Sequence, residues 1–192
     1  MEIKKGIPVS HGIAIGHVFV LDSEESRIPK RFVTPKQVKR EVNRYLRSME
    51  SAVAEVKELI SDVSRRLGKE YLPIFNSHLN ILEDQTIRNE VVERIEKNNF
   101  TAEYAVSRVF RKYIKAFKAM EDNYFRERVT DIYDIEKRLF KNLLHEQREG
   151  LGNLAKQVIV VAQDLTPSET AQLDREKVIA FVTDRGGATS HT

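Results

Sequence analysis

The chain has 192 residues, 41% of them apolar and 32% charged, with 32 Lys and Arg against 29 Asp and Glu. A chain of that length can bury roughly 70% of its unfolded surface, so this composition excludes a wholly disordered protein. Without cysteine there is no disulfide, thiol nucleophile or zinc–thiolate site, and the small positive balance is interleaved with acids, as in Glu55-Val56-Lys57-Glu58 and Arg88-Asn89-Glu90, which reads as solvated helix faces rather than a nucleic-acid stripe.

Residues 1–30 lean toward β structure and are punctuated by Gly6, Gly12 and Gly16. Met-Glu-Ile-Lys-Lys leads into Gly6-Ile7-Pro8 and not into an apolar stretch, so no signal peptide is expected, and with no cysteine a cytoplasmic protein is the expected reading. Ile13 to Leu21 predicts a strand buried on at least one face, and the following segment, carrying Pro29 and meeting Pro35, reads as a linker. Thr34-Pro35 is an N-cap followed by proline in the first helical position. From there Val38, Val42, Tyr45 or Leu46, Met49, Val53, Val56, Ile60, Val63 and Leu67 step by three and four, one stripe of a long helix that Gly68 stops. A second helix starts at Pro73 and runs through Ile74, Phe75, His78, Leu79, Leu82, Ile87, Val91 and Ile95, with a bend at Glu83-Asp84 and an end at Asn98-Asn99. Thr101 opens a third, carrying Ala105, Val109, Tyr113, Phe117 and Met120. A fourth carries Phe125, Val129, Ile132, Ile135, Leu139 and Leu143.

Beyond Gly150-Leu151-Gly152 the texture changes. Val158 to Ala162 and Val178 to Val182 are β-branched runs, and Thr166-Pro167-Ser168-Glu169 caps a short helix between them. The expected fold is α+β with two domains: a four-helix bundle, residues 31–149, inserted into a small α/β domain made of residues 1–30 and 150–192. No apolar run approaches the roughly 20 residues of a membrane-spanning helix.

Chemistry concentrates after the last strand, in Thr183-Asp184-Arg185-Gly186-Gly187-Ala188-Thr189-Ser190-His191-Thr192. Glycines admit close backbone approach, hydroxyl residues cap a helix, and a helix start favours an anion. A histidine there has a nucleophilic ring nitrogen beside a site suited to phosphate; an ordinary turn with a surface histidine is the bland alternative. His78, among apolar neighbours, reads as a hydrogen-bonded structural histidine. His11, His17 and His145 have nothing near them at metal-ligand spacing. Glu83-Asp84 reads as a solvated pair, and Phe117 and Phe125 equally as bundle core.

The segment around His191 resembles the phosphohistidine motif of the phosphoenolpyruvate-utilising enzymes. Val161-Ala162-Gln163-Asp164-Leu165-Thr166-Pro167-Ser168-Glu169-Thr170 resembles one branch of them, enzyme I of the bacterial phosphotransferase system. Gly6 to Gly16, Ser77 to Asp84 and Asp131 to Leu139 agree with that branch in the family's order. Pyruvate phosphate dikinase and phosphoenolpyruvate synthase share the glycine–Ser–His motif, but the helical insertion argues for enzyme I.

The resemblance implies that His191 takes a phosphoryl group from phosphoenolpyruvate and passes it to a histidine of the small carrier HPr, the first step of sugar phosphotransfer. It implies that Thr170 orients His191, with Thr189 and Ser190 capping the helix and offering donors to phosphate. The helical domain would dock HPr through Glu70, Pro73, Asn80, Ile81, Ile87, Phe117, Phe125 and Arg128. Lys69, Asn76, Gln85 and Thr86 stand where acids often occur in the family, which implies a less basic carrier or more apolar contact, and Ala188 stands where many members have arginine. Family members continue beyond this chain with a barrel that supplies the phosphoenolpyruvate site, the Mg2+ ligands and a dimer interface, so the chain is expected to be a monomeric fragment with no metal of its own. A nitrogen-regulatory paralogue and a non-catalytic helical docking module are the other readings.

Overall fold

Thr34 and Pro35 begin the helical part of the chain as their side chains dictate. The Thr34 N–H donates to Gln37 Oε1 at 3.0 Å, one 3-10 turn spans Pro35–Gln37, and helix α1 follows over Val38–Arg66. The computed structural model describes residues 4–21, 28–66, 68–122, 128–144 and 154–184. Residues 26–148 form one compact unit, and residues 1–25 with 149–192 form the other.

In the helical unit α1 buries Tyr45, Met49, Ala52, Val56, Leu59 and Val63, together with Glu41 and Ser48. The predicted stripe is therefore offset, with Val42, Val53 and Ile60 half-buried on its flank and Leu67 outside the described residues. Gly68 follows with φ +110°, a value that favours glycine, and its N–H reaches back to the Val63 carbonyl at 3.2 Å. A 3-10 turn at Lys69–Tyr71 leads into α2, Leu72–Glu83, with Pro73 in its first turn where no N–H is needed.

The predicted second helix is two helices. Asp84 is extended, and its carboxylate accepts from the Thr86 N–H at 2.7 Å and the Ile87 N–H at 3.0 Å. It is the N-cap of α3, Gln85–Asn98, so the acidic pair is a boundary and not a bend. Asn99 ends α3 in the left-handed region, at φ 53°. An antiparallel bridge joins Phe32 to Phe100, and there Val33 N–H donates to Asn99 O at 2.8 Å.

Helix α4 covers Ala102–Lys118 and α5 covers Val129–Leu144. Thr101 precedes α4 without a side-chain cap. Instead Glu41 of α1 accepts the Ala102 N–H at 2.8 Å, and Arg44 pairs with both Glu41 and Glu103. Helix α1 packs against α2, α3, α4 and α5, and α4 against α3 and α5. The shared core includes Tyr45, Val56, Val91, Ile95, Val106, Val109, Ile135 and Leu139. Burial raises the Tyr45 phenol well above its ordinary pKa, with Arg88 pulling weakly the other way. The helical part thus has five helices among the described residues, where the periodicity predicts four. Met120, predicted on the apolar stripe of the third helix, lies past its end and is exposed.

The second unit is a parallel sheet of β1 (His17–Leu21), β2 (Val158–Ala162) and β3 (Val178–Thr183), with β2 central. Phe19, Val160 and Phe181 lie in register across it, with an irregularity between Val158 and Ile159. Val158, Val160, Ala162 and Leu165 form its core, flanked by Phe19, Leu21, Leu154, Leu173 and Val178. Helix α6, Pro167–Ala171, lies between β2 and β3. The predicted first strand is too long at its start and less buried than expected. It begins at His17, with Ile13 and Ile15 ahead of it 95% and 91% exposed, and Val18 and Val20 exposed on its open face. No helix among the described residues is long and apolar enough to cross a membrane.

Candidate functional site

Interrupting the second helix has a consequence at the surface. Ile81 lies in the last turn of α2 and Ile87 in the first turn of α3; with Phe110, Tyr113 and Phe117 of α4 and Ile132 of α5 they line one shallow apolar groove. Phe110 and Ile132 are nearly inaccessible, whereas Ile81, Ile87, Tyr113 and Phe117 are half-buried. Apolar walls over a packed floor suit a protein surface better than a small polar ligand. The groove unites three of the predicted partner-binding residues, Ile81, Ile87 and Phe117. Tyr113, Ile132 and Phe110 also line it. Tyr113 and Ile132 belong to apolar stripes in the sequence, and their place at the stripe's edge depends on how the helices pack.

Arg128, another predicted partner-binding residue, directly precedes α5. Its Nη1 donates to Asp131 Oδ2 at 2.9 Å and reaches Ser77 Oγ at 3.4 Å. Ser77 in turn donates to the Pro73 carbonyl at 3.0 Å, which links Pro73, at the start of α2, to Arg128. Glu70, Pro73 and Asn80 are exposed and do not line the groove; Phe125 lies outside the described residues. Lys69, Asn76, Gln85 and Thr86 are all exposed.

His78 lies behind this row, fully buried, its ring edge-on to Phe75 with centroids 5.7 Å apart. Contrary to expectation it is not hydrogen-bonded: neither ring nitrogen has a partner within hydrogen-bonding geometry. Nε2 lies 3.6 Å from Asp131 Oδ1, beyond hydrogen-bonding distance. Burial works against the Asp131 charge, but His78 and Arg128 outweigh it and hold the carboxyl below its ordinary pKa. Arg128, at 2.9 Å, is the better placed of the two. On the α3–α4 side, Glu90 accepts from Arg94 at 3.0 Å and Lys112 at 2.8 Å. Its partial burial opposes ionisation, yet these two cations lower its pKa.

In the α/β unit, Thr166 and Glu169 form a reciprocal capping box: Glu169 N–H donates to Thr166 Oγ1 at 3.3 Å and Thr166 N–H to Glu169 Oε2 at 3.0 Å. One turn on, the Thr170 hydroxyl donates to the Thr166 carbonyl at 3.0 Å. That commits its proton and leaves its oxygen able to accept. Strand β3 carries the chain to Asp184, whose N–H donates to the Ala162 carbonyl at 3.2 Å. Thr189, Ser190 and His191, and Ala188 with them, lie outside the described residues. Among the described residues no group of three or more His, Cys, Asp or Glu is placed to hold a metal ion.

Residues 5–128 match the family model described as PEP-utilising enzyme, N-terminal, and residues 154–192 match PEP-utilising enzyme, mobile domain. Over 187 residues the chain is 39% identical to the phosphoenolpyruvate-protein phosphotransferase of Haemophilus influenzae and 37% identical to that of Mycoplasma capricolum. These alignments cover 97% of this chain but 32% of each relative, so the chain spans about a third of their length. A solution structure of enzyme I superposes with a TM-score of 0.81 at 33% identity, covering 97% of this chain and 75% of that one. With residues 5–128 and 154–192 matched by its two family models, the chain belongs to the PEP-utilising enzyme family and corresponds to the N-terminal region of enzyme I.

Proposed function

We propose that this chain is the carrier-docking and phosphohistidine part of a phosphoenolpyruvate–protein phosphotransferase. The observation that carries the reading is the apolar groove assembled from Ile81, Ile87 and Phe117, on a chain whose two ends of sequence match the N-terminal and mobile domains of one family. Residues 31–149 dock the carrier HPr, and residues 1–30 with 150–192 carry the phosphoryl group on His191. Glu70, Pro73, Asn80 and Arg128 extend the docking face around the groove, and Phe125, outside the described residues, is assigned to it from the family resemblance alone.

In the exchange step a neutral nitrogen of His191 attacks the phosphorus of the carrier's phosphohistidine. A new N–P bond forms as the carrier's N–P bond breaks, and the carrier leaves as neutral imidazole. Thr170 fits an orienting role. With its own proton on the Thr166 carbonyl, its oxygen can accept an imidazole N–H and leave the opposite ring nitrogen unprotonated for attack. Thr189 and Ser190 offer hydroxyl and main-chain donors to the phosphoryl oxygens.

Phosphoenolpyruvate and Mg2+ bind elsewhere in the longer enzyme, which acts in the cytoplasm as a homodimer. The face carries Lys69, Asn76, Gln85 and Thr86 on its surface, so docking relies on apolar contact and responds modestly to salt. Incubation with phosphorylated HPr should give acid-labile, base-stable label on the chain, and His191→Ala should abolish it with helical content unchanged. Label retained in that variant would overturn the assignment. Stoichiometric label from phosphoenolpyruvate and Mg2+ alone would show that the donor site is in this chain.

A further inference from the structure

We propose that Asp131 is a positioning residue for docking: held between buried His78 and Arg128, it fixes the Arg128 guanidinium beside the apolar groove, where it meets a hydrogen-bond acceptor on the carrier. This rests on the docking reading above. Asp131 occupies the first turn of α5 and immediately precedes Ile132, a groove-lining residue. Its Oδ2 accepts from Arg128 at 2.9 Å, and its Oδ1 lies 3.6 Å from His78 Nε2. Ser77 Oγ, 3.4 Å from the same guanidinium nitrogen, adds a contact from α2, and Ile81 of the groove is one turn further along that helix. The cation is thus held from two helices that both contribute to the groove, while 27% of its side chain remains exposed.

The distribution of cost and benefit favours a functional role over a purely structural one. His78 is buried with neither ring nitrogen hydrogen-bonded, and an apolar side chain would fill that space without stranding polar atoms. The imidazole instead lies beside one carboxylate oxygen, Nε2 at 3.6 Å from Oδ1, while Arg128 takes the other. A free arginine side chain loses rotamer freedom when it docks; one already held loses less, an advantage of about threefold to tenfold in affinity.

The test is a cycle of variants of the full chain, with carrier affinity measured by titration calorimetry and stability by urea unfolding. Asp131→Asn should weaken binding about threefold to tenfold, Arg128→Ala at least as much, and the double variant no more than Arg128→Ala alone. Ser77→Ala, which leaves the buried pair intact, should weaken binding less and lose its effect once Arg128 is removed. An equal loss from Asp131→Asn with and without Arg128 would overturn the proposal, since the carboxylate would then act through the fold. So would full affinity in Asp131→Asn beside a weakened Arg128→Ala. If Phe117→Ala weakens binding and Arg128→Ala does not, the positioning role fails and the docking reading stands. No binding by the unsubstituted chain would overturn both. Should Asp131→Asn fail to fold, the Ser77→Ala and Arg128→Ala pair decides: additive losses overturn the proposal.

Discussion

Asp131 and Glu41 are both buried carboxylates that do work no local sequence pattern announces. Glu41 caps α4 from a different helix, so Glu41→Ala leaves the Ala102 N–H buried without an acceptor and should cost about 1–2 kcal/mol. Glu41→Gln keeps an acceptor and should cost less; equal losses in urea unfolding would argue against the cap. Asp131 makes a pH prediction. Its folded pKa is depressed, so its contribution is complete above the ordinary carboxylate value near ~3.9 and disappears as pH falls through the lower folded value. The stability gap between the unsubstituted chain and Asp131→Asn should therefore be flat above about pH 5 and close below about pH 4. A gap unchanged between those values and pH 3 would show that the charge of Asp131 is not what stabilises. Sequence reading finds His78 and Arg128 separately, but their link through Asp131 spans α2 and α5 and exists only once those helices pack.

Among the elements, the caps show what periodicity can and cannot reveal. Thr34-Pro35, Gly68 and Thr166-Pro167 mark boundaries legible from residue type, because each meets a need within its own turn. Asp84 meets the same kind of need, yet the apolar steps continue across it from Leu82 to Ile87 and conceal the break. The signal was present in an aspartate two residues before a threonine. Asp84→Ala removes the acceptor for two N–H groups and should cost about 1 kcal/mol. The loss should be local: amide exchange at Thr86 and Ile87 should accelerate while Val91 and Ile95 stay protected. Because Ile81 and Ile87 flank this cap, carrier affinity should fall too. Acceleration spread evenly along α3 would indicate that Asp84 is not its start. The groove was only partly legible for a related reason: Ile81, Ile87 and Phe117 came from the family resemblance, and Tyr113 and Phe110 could not be told from core without the angle between α3 and α4.

At the scale of the whole chain, the two units are unequal in what they bury. The helical unit has a core that draws on all five helices among its described residues, with Tyr45, Val91, Ile95 and Leu139 fully inaccessible. The α/β unit centres on Val158, Val160, Ala162 and Leu165, and the other face of its sheet leaves Val18, Val20 and Val182 more than half exposed. Each buried methylene contributes roughly 0.8 kcal/mol, so the smaller core must give the lower stability. Its β1 and β2 are also separated in sequence by the entire helical unit, a long closure before any sheet pairing forms. The chain should therefore unfold in two steps as urea rises, the α/β unit first. Amides of Val160 and Val161 should exchange at lower denaturant than those of Val106 and Val109, and far-UV helical signal should persist after the first step. Residues 26–148 expressed alone should show only the second transition, at the same midpoint, and should still bind the carrier without accepting phosphate. A single transition in which sheet and helix amides lose protection together would mean that the units share their stability and that the helical one does not stand alone.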